Sequence, residues 1–348
     1  MKIAFVLDEE WDSALTHYAY GAYKALAKNH TVKLFCLEGS YIDKKHNGEK
    51  IYIEPLRNKN FLKSFIGFKS LSTTFKLFKP DIVVTIRGDA AFFSCLLKKS
   101  FNFKLVRIFG EDKRLKTPRN CVDTVILPAD FLRSNVDEKK VGRLYVIKGF
   151  ADESIFKFNK TGRSRIRELY KIKDEEILFG SVGRLDEVKG YNVLIKAFSK
   201  IKNNSKLMIV GEEKAQKADE LRSLAGSLGM DEKVIIINER RKDIVDIMSA
   251  FDVGVISSIG SETIARVMFE FMSVGLPVVT TDVGMLKEIA EDEFCTLAKA
   301  NDEQSLFEAI QKMSQKDMEK AKNLALIAAK EYSFDEFCSK ITDAINSV

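Results

Sequence analysis

The sequence predicts an α/β protein built from two consecutive units, each a parallel sheet with helices on both faces. Three observations lead there. Short apolar runs alternate with longer amphipathic stretches along the chain, the pattern of strand–helix units that feed a parallel sheet. The alternation pauses near residues 149–160, in a segment of loop composition, and then restarts with a new strand. The length, 348 residues, suits two domains of ordinary size, either of them long enough to bury its own core.

In the first unit, residues 2–7 (KIAFVL) read as the opening strand, followed by a helical stretch at 14–28. Further strands are expected at 31–36 (TVKLFC), 81–86 (DIVVTI), 104–108 (KLVRI) and 124–127 (TVIL), with a Phe- and Lys-rich helix at 60–78. In the second unit the strands are 177–182 (ILFGSV), 206–210 (KLMIV), 233–237 (KVIII), 253–257 (VGVIS) and 277–280 (PVVT). Helices are expected between them at 192–201, 214–228, 243–248 and 262–274, and from 305 the tail reads as helical to its end.

Composition narrows the function. Hydrophobic residues at 45% and charged residues at 30% exclude a disordered chain. No window approaches the roughly 18 unbroken apolar residues of a membrane-spanning helix. The opening MKIAFVLDEEWD turns acidic after one short apolar run and reads as a strand, not a signal peptide. The five cysteines, Cys36, Cys95, Cys121, Cys295 and Cys338, share no metal-ligand spacing and are expected to be buried reduced thiols. The only histidines, His17, His30 and His46, all lie near the N-terminus, which leaves few candidates for a metal site or a His-dependent triad. Residues 1–150 hold 27 basic against 16 acidic residues, a net +11, while the remainder carries −5. Such asymmetry suggests that the first half faces something anionic.

After the first strand stands Asp8-Glu9-Glu10-Trp11-Asp12, where a dinucleotide-binding dehydrogenase carries G-x-G-x-x-G; no Walker lysine loop occurs either. The informative segment is Gly183-Arg184-Leu185-Asp186-Glu187-Val188-Lys189-Gly190, directly after a strand and opening a helix. Gly183 permits close backbone approach, and Arg184 and Lys189 flank the turn so that both cations can reach one polyanion. A second segment is Gly260-Ser261-Glu262-Thr263-Ile264-Ala265-Arg266-Val267-Met268-Phe269-Glu270. Ser261 reads as an N-cap, which would make the amides of Glu262, Thr263 and Ile264 the free donors of a helix start and an anion site. Glu262, Arg266 and Glu270 would then line one helix face at i, i+4 and i+8. A carboxylate beside an anion site suits hydrogen bonds from sugar hydroxyls.

With GRLDEVKG, LMIVGEE and GSETIARVMFEFMSVGLPVVTTDVGMLKEI in this order, the C-terminal half resembles the retaining glycosyltransferases of the GT-B fold, family 4. Glu262 and Glu270 fit that family's E-x7-E motif. The resemblance implies two Rossmann-like domains with parallel sheets facing across a cleft. Residues 1–150 would form the acceptor side, with the final helix at 333–348 crossing back onto it, and 151–332 would bind the donor. It implies that Arg184 and Lys189 bind the donor diphosphate, that Glu262 contacts the transferred sugar and that Glu270 holds the ribose hydroxyls. Gly183 and the backbone of Ile264, Ala265, Arg266 and Val267, with Thr263, would cradle phosphate. The segment containing Asn238 and Arg240 would seat the base. Glu262, Arg184 and Lys189 are the expected catalytic residues.

The first half departs from the family pattern. It carries Trp11-Asp12-Ser13-Ala14 in place of a Gly-Gly loop, and Phe109 about where the family has a histidine. Ser13, Thr16, His17, Arg87, Asp89, Arg107, Glu111 and Asp112 are the acceptor-side candidates. The expected partners are a nucleotide-diphosphate sugar, which is a substrate and not a cofactor, and a glycan or lipid-linked acceptor. An anionic membrane surface facing Lys63, Lys69 and Lys76 of the 60–78 helix is a further expected partner, and nucleic acid is not. The absence of an Asp-x-Asp motif predicts no required metal ion. A cytoplasmic chain at the inner membrane face, in cell-envelope polysaccharide or lipopolysaccharide synthesis, is the resulting expectation. A nucleotide-sugar epimerase of the same fold and a non-catalytic sugar-nucleotide-binding subunit are the alternatives.

Overall fold

The computed structural model describes the chain apart from residues 57–60, 117–120, 261 and 292 and the side chains of 61–64. The chain divides into two units, Met1–Gly149 with Phe334–Val348, and Phe150–Ser333.

The first unit holds seven strands: β1 (Lys2–Leu7), β2 (Thr31–Cys36), β3 (Lys50–Tyr52), β4 (Ile82–Thr85), β5 (Lys104–Ile108), β6 (Thr124–Leu127) and β7 (Arg143–Val146). All pair in parallel, in the order β3-β2-β1-β4-β5-β6-β7. The central strands are apolar on both faces because helices cover both, so Ile3–Leu7 and all of β4 are buried. Helix Ala14–Ala27 starts at Ser13, whose hydroxyl accepts from the Thr16 amide. Helix Phe334–Asn346 packs on it: the Tyr18 and Phe337 rings meet edge to face at 4.9 Å. The buried Tyr18 hydroxyl donates to the Ile147 carbonyl at 2.6 Å, so its polar tip is satisfied inside an apolar contact.

The second unit holds six parallel strands: β8 (Ile177–Val182), β9 (Ser205–Val210), β10 (Val234–Ile237), β11 (Val253–Ile256), β12 (Val278–Thr281) and β13 (Cys295–Ala298). Their order is β10-β9-β8-β11-β12-β13. On one side of this sheet the core is built from Phe179, Leu194, Phe198, Leu207, Leu221, Val255, Leu306 and Ile310. Helix Lys160–Leu169 is tied down by Arg163, which donates to the carbonyls of Ser249, Ala250 and Phe251 and pairs with Asp252 at 2.7 Å.

Three expectations need correction. Cys95 and Cys121 are disulfide-bonded, not reduced: helix Gly88–Lys98 and the chain entering β6 bring their Cα atoms to 5.7 Å, while Cys36, Cys295 and Cys338 are buried and outside any disulfide. Strands β3, β7 and β13 were not anticipated; all three are sheet edges. The tail is not helical throughout: it holds three helices, Glu303–Ser314, Met318–Ala329 and Phe334–Asn346, the second and third separated by a 3-10 turn at Lys330–Tyr332. Asp302 and Asp317 cap the first two through their side chains. Among the described residues, no helix is long and apolar enough to cross a membrane.

Candidate active site

In the second sheet, β9 and β10 lie to one side of β8, and β11, β12 and β13 to the other. The connections leaving β8 and β11 therefore diverge, which makes the carboxyl ends of these two neighbouring strands a topological switch point, the usual ligand position in an open parallel sheet. Residues 183–190 and 257–265 occupy those two ends. The two informative sequence segments thus meet in space.

Backbone contacts lash the loops together. The Ser257 hydroxyl donates to the Lys189 carbonyl at 2.8 Å, and the Ile259 amide to the Val188 carbonyl at 2.8 Å. Gly190 has φ +67°, and a Cβ there would stand 2.2 Å from the Ser257 carbonyl oxygen, so the junction requires glycine. Tyr191 is buried and donates to the Gly183 carbonyl at 2.9 Å, fixing the start of the first loop.

Lys189 and Glu262 form the centre of the arrangement. Lys189 Nζ lies 2.5 Å from Glu262 Oε1, with the two side chains 24% and 9% exposed. Ser258 donates to the same oxygen at 2.6 Å. The Ser258 carbonyl accepts from Thr281 Oγ1 at 2.6 Å, and the Glu262 carbonyl from the Met285 amide at 2.9 Å. Arg184 is exposed and, among the described residues, has no hydrogen-bond or ion-pair partner. One cation is thus engaged with the carboxylate and the other is uncommitted.

The helix expected at 262–274 begins only at Arg266 and runs to Val274. Ala265, just before it, is left-handed with φ 49°. Glu262 is therefore not on a helix face with Arg266 and Glu270, and the amides of Glu262, Thr263 and Ile264 are not helix-start donors. The helix starts four residues later than expected because the Glu262 carbonyl is taken by Met285 and Gly284 crowds it: a Cβ on Gly284 would sit 2.4 Å from that oxygen. The expected N-cap, Ser261, lies outside the described residues. The helix-start amides are those of Arg266 and Val267, since the Met268 amide already donates to Ala265. Glu270, just over one turn in, is buried; Arg266 Nε donates to its Oε1 at 2.7 Å. Burial pushes the Glu270 carboxyl upward and Arg266 opposes it.

Asn238 and Arg240 follow β10 at the sheet edge and are exposed. The Asn238 amide bridges Arg222, at 3.1 Å, and Glu213, at 3.2 Å.

In the first unit the acceptor-side candidates separate into four groups. Ser13 and Thr16 are absorbed by the helix start, the Thr16 hydroxyl donating to the Trp11 carbonyl at 2.9 Å. His17 pairs with Asp12 at 2.7 Å and meets the Tyr41 hydroxyl at 3.3 Å. Asp112 accepts from Asn135 at 3.1 Å. Arg87, Asp89, Arg107 and Glu111 gather at the carboxyl ends of β4 and β5. Arg87 pairs there with Glu9 at 2.8 Å, and Arg107 with Glu111 at 3.5 Å. Arg107 is 1% exposed, and, among the described residues, its buried Nε and Nη1 have no hydrogen-bond partner.

Asp8, at the end of β1, completes this charged group and was missed in the sequence. Its signal was the first acidic residue after the buried apolar run Ile3–Leu7. Its Oδ1 is likewise buried and unpartnered. Burial pushes the Asp8 carboxyl up to about 7, against the pull of Arg107 and Arg87. Burial also lowers Arg107 to about 10, with Glu111 and Asp8 opposing. Ser258 was missed as well; nothing in the sequence distinguished it from a turn serine.

Residues 162–331 match the family model described as glycosyl transferases group 1. The chain is 33% identical, over 165 residues, to N-acetylgalactosamine-N,N'-diacetylbacillosaminyl-diphospho-undecaprenol 4-alpha-N-acetylgalactosaminyltransferase of Campylobacter jejuni, covering 46% of this chain and 44% of that protein. It spans less than half the length of the curated relatives it matches. Among solved structures, a glycosyltransferase from Rickettsia africae superposes with a TM-score of 0.86 at 18% identity, covering 100% of this chain and 99% of that one. Anabaena HepE in complex with UDP and glucose superposes with a TM-score of 0.81 at 18% identity, covering 100% of both chains. The fold is GT-B, with two parallel-sheet α/β units of seven and six strands.

Proposed function

We propose that this chain is a glycosyltransferase that moves a sugar from a nucleotide-diphosphate sugar to a glycan or lipid-linked acceptor in cell-envelope polysaccharide or lipopolysaccharide synthesis. The observation that carries the reading is the meeting of Lys189, Glu262 and the uncommitted Arg184 at the β8–β11 switch point, with Arg266 and Glu270 just beyond. The match of residues 162–331 to glycosyl transferases group 1 supports it. So does the diphospho-undecaprenol named for the Campylobacter relative.

In this reading the donor diphosphate competes with Glu262 for Lys189. Phosphate oxygens take Lys189 Nζ and Arg184, and the helix-start amides of Arg266 and Val267 add neutral donors. Glu262, released from Lys189 but still held by Ser258, accepts hydrogen bonds from the sugar. As the glycosidic bond to phosphate breaks, charge grows on the leaving phosphate and the sugar becomes oxocarbenium-like. Arg184 and Lys189 stabilise the first, and the Glu262 carboxylate the second. Glu270 takes the ribose hydroxyls, and Asn238 and Arg240 the base. Transfer with retention is part of the proposal and rests on the E-x7-E resemblance.

The acceptor is assigned to the first unit, where Asp8, Arg87 and Arg107 stand at the strand ends. Helix Phe61–Phe78 is assigned to an anionic membrane surface. Leu71 and Phe75 face its core side, while Phe65, Ile66 and Leu77, the last 80% exposed, lie outward with Lys69 and Lys76. The side chain of Lys63 lies outside the described residues.

The test is to incubate the chain with a panel of nucleotide-diphosphate sugars and undecaprenyl-diphosphate oligosaccharides and to weigh the products. The expected result is an acceptor heavier by one sugar residue and a released nucleoside diphosphate. A changed sugar still attached to its nucleotide, or donor binding without turnover, would contradict it.

A further inference from the structure

The loops that follow β1, β2 and β3 in the first unit border an open cavity of about 680 Å³. That lies within the roughly 300–1,000 Å³ typical of small-molecule sites. It has aromatic walls: Trp11, Tyr41 and Tyr52 line it, and Trp11, the only tryptophan in the chain, is 69% exposed. The two tyrosine rings are anchored by their hydroxyls. Tyr52 donates to Asp43 at 2.9 Å, and Tyr41 meets His17 at 3.3 Å, itself held by Asp12. Their faces are thus set before any ligand arrives, while the Trp11 ring stands open to solvent.

The charge of the lining runs against that of the unit around it. Among the described residues, Glu10, Asp12, Glu38 and Glu54 line the cavity, with Lys44 the one basic residue beside them. Among the described residues, the side chains of Glu10, Glu38 and Glu54 have no hydrogen-bond or ion-pair partner. Free carboxylates accept hydrogen bonds and repel anions. An aromatic face carries negative quadrupole density, which attracts the weakly positive C–H face of a pyranose ring. A ligand with many hydroxyl donors, one apolar face and no negative charge satisfies both kinds of wall.

We propose that this cavity is a saccharide subsite that takes an uncharged pyranose of the acceptor and rejects anionic sugars such as uronic acids. The proposal rests on the reading of the chain as a glycosyltransferase whose first unit takes the acceptor. It places the basic residues of this unit elsewhere in the task, toward a phosphate or a lipid surface. The sugar itself meets aromatic rings and carboxylates.

The single tryptophan makes the test direct, because intrinsic indole fluorescence reports Trp11 alone. The full chain is titrated with methyl glycosides of glucose, galactose and N-acetylgalactosamine, and with methyl glucuronide as the anionic comparator. At least one neutral glycoside should change the emission saturably, and the glucuronide should bind about tenfold more weakly or not at all. By calorimetry, Trp11→Ala should lose the neutral glycoside, and Glu38→Gln/Glu54→Gln should narrow the gap between neutral and anionic sugars. UDP, GDP and ADP are titrated into the same variants, and their affinities should match wild type, which shows the second unit intact. No saturable change with any neutral glycoside, or equal affinity for the glucuronide, overturns the subsite even where sugar transfer is observed. Neutral-glycoside binding as described, in a chain that transfers no sugar, removes the acceptor role and with it the glycosyltransferase reading.

Discussion

Replacing Lys189 by alanine removes two interactions that can be read separately. Lys189 Nζ sits 2.5 Å from Glu262 Oε1, and the pair is 24% and 9% exposed. Breaking a fully buried pair costs about 3–5 kcal/mol, chiefly by leaving one charge uncompensated. Here Lys189 is partly solvated and Ser258 still donates to Glu262, so the expected cost is about 1.5–3 kcal/mol. In a unit of this size that lowers Tm by roughly 4–10 °C. Lys189→Ala/Glu262→Gln should recover most of the loss, because the stranded charge is gone. Donor-dependent kcat/KM should fall about ten- to a hundredfold in Lys189→Ala, the value of one charge-assisted hydrogen bond to phosphate, and the double variant should not recover it. Arg184→Ala should show the same kinetic loss with an unchanged Tm, since its side chain is exposed and unpaired. Thermal denaturation and steady-state kinetics on the four proteins decide the matter. Wild-type kcat/KM in Lys189→Ala, or a double variant no more stable than the single one, would refute the reasoning.

Three further outcomes are expected. Glu270→Gln should weaken free nucleoside diphosphate binding, whereas Glu262→Gln, which removes the competitor for Lys189, should leave it at wild type or tighter and lower turnover; calorimetry on both variants checks this, and the reverse pattern would exchange the two roles. Asp8 carries a folded-state pKa of about 7 against an ordinary 3.8, so between those values the folded chain keeps a proton that the unfolded chain releases, and stability falls as pH rises through that window. Asp8→Asn should therefore gain stability over wild type at pH 8, by at most about 4 kcal/mol, and gain little at pH 4; denaturant titration at both pH values measures it. Lys69→Glu/Lys76→Glu should reduce sedimentation with anionic vesicles about thirtyfold or more at low salt, at about 1 kcal/mol per lysine, and leave neutral vesicles unaffected; equal negligible binding to both lipids would remove the membrane assignment.

Much of the second unit was legible because its inner strands are covered on both faces. Such strands must be nearly continuous apolar runs, and ILFGSV and KLMIV announce themselves. The strands that escaped, KIY, RLYV and CTLA, are sheet edges that carry polar or exposed residues and are short. The pairing of residues 183–190 with 257–265 was legible only as two separate motifs. What joins them is topology, the divergence of the chain at β8 and β11. The helix start at Arg266 was illegible for another reason. E-T-I-A-R has good helical spacing, and no local rule places Ala265 in the left-handed region. Contacts from Met285 and the crowding at Gly284 override the local preference. The Cys95–Cys121 bond was hidden in the same way: the two residues are 26 apart in sequence, and only the packing of helix Gly88–Lys98 beside the entry to β6 joins them. In the first unit, Ser13 read as a site residue because capping and ligand binding use the same hydroxyl.

The central claim, that the loops after β8 and β11 hold a nucleoside diphosphate, is tested most directly by calorimetric titration of UDP, GDP and ADP into wild type and Arg184→Ala. Arg184 suits this because, among the described residues, its exposed side chain has no hydrogen bond or ion pair to lose when it is truncated. The account predicts that at least one of the three binds, that the affinity falls about ten- to a hundredfold in the variant, and that the difference shrinks as salt screens the exposed guanidinium. Binding of none of the three by wild type, or equal affinity in both proteins at low salt, would contradict it.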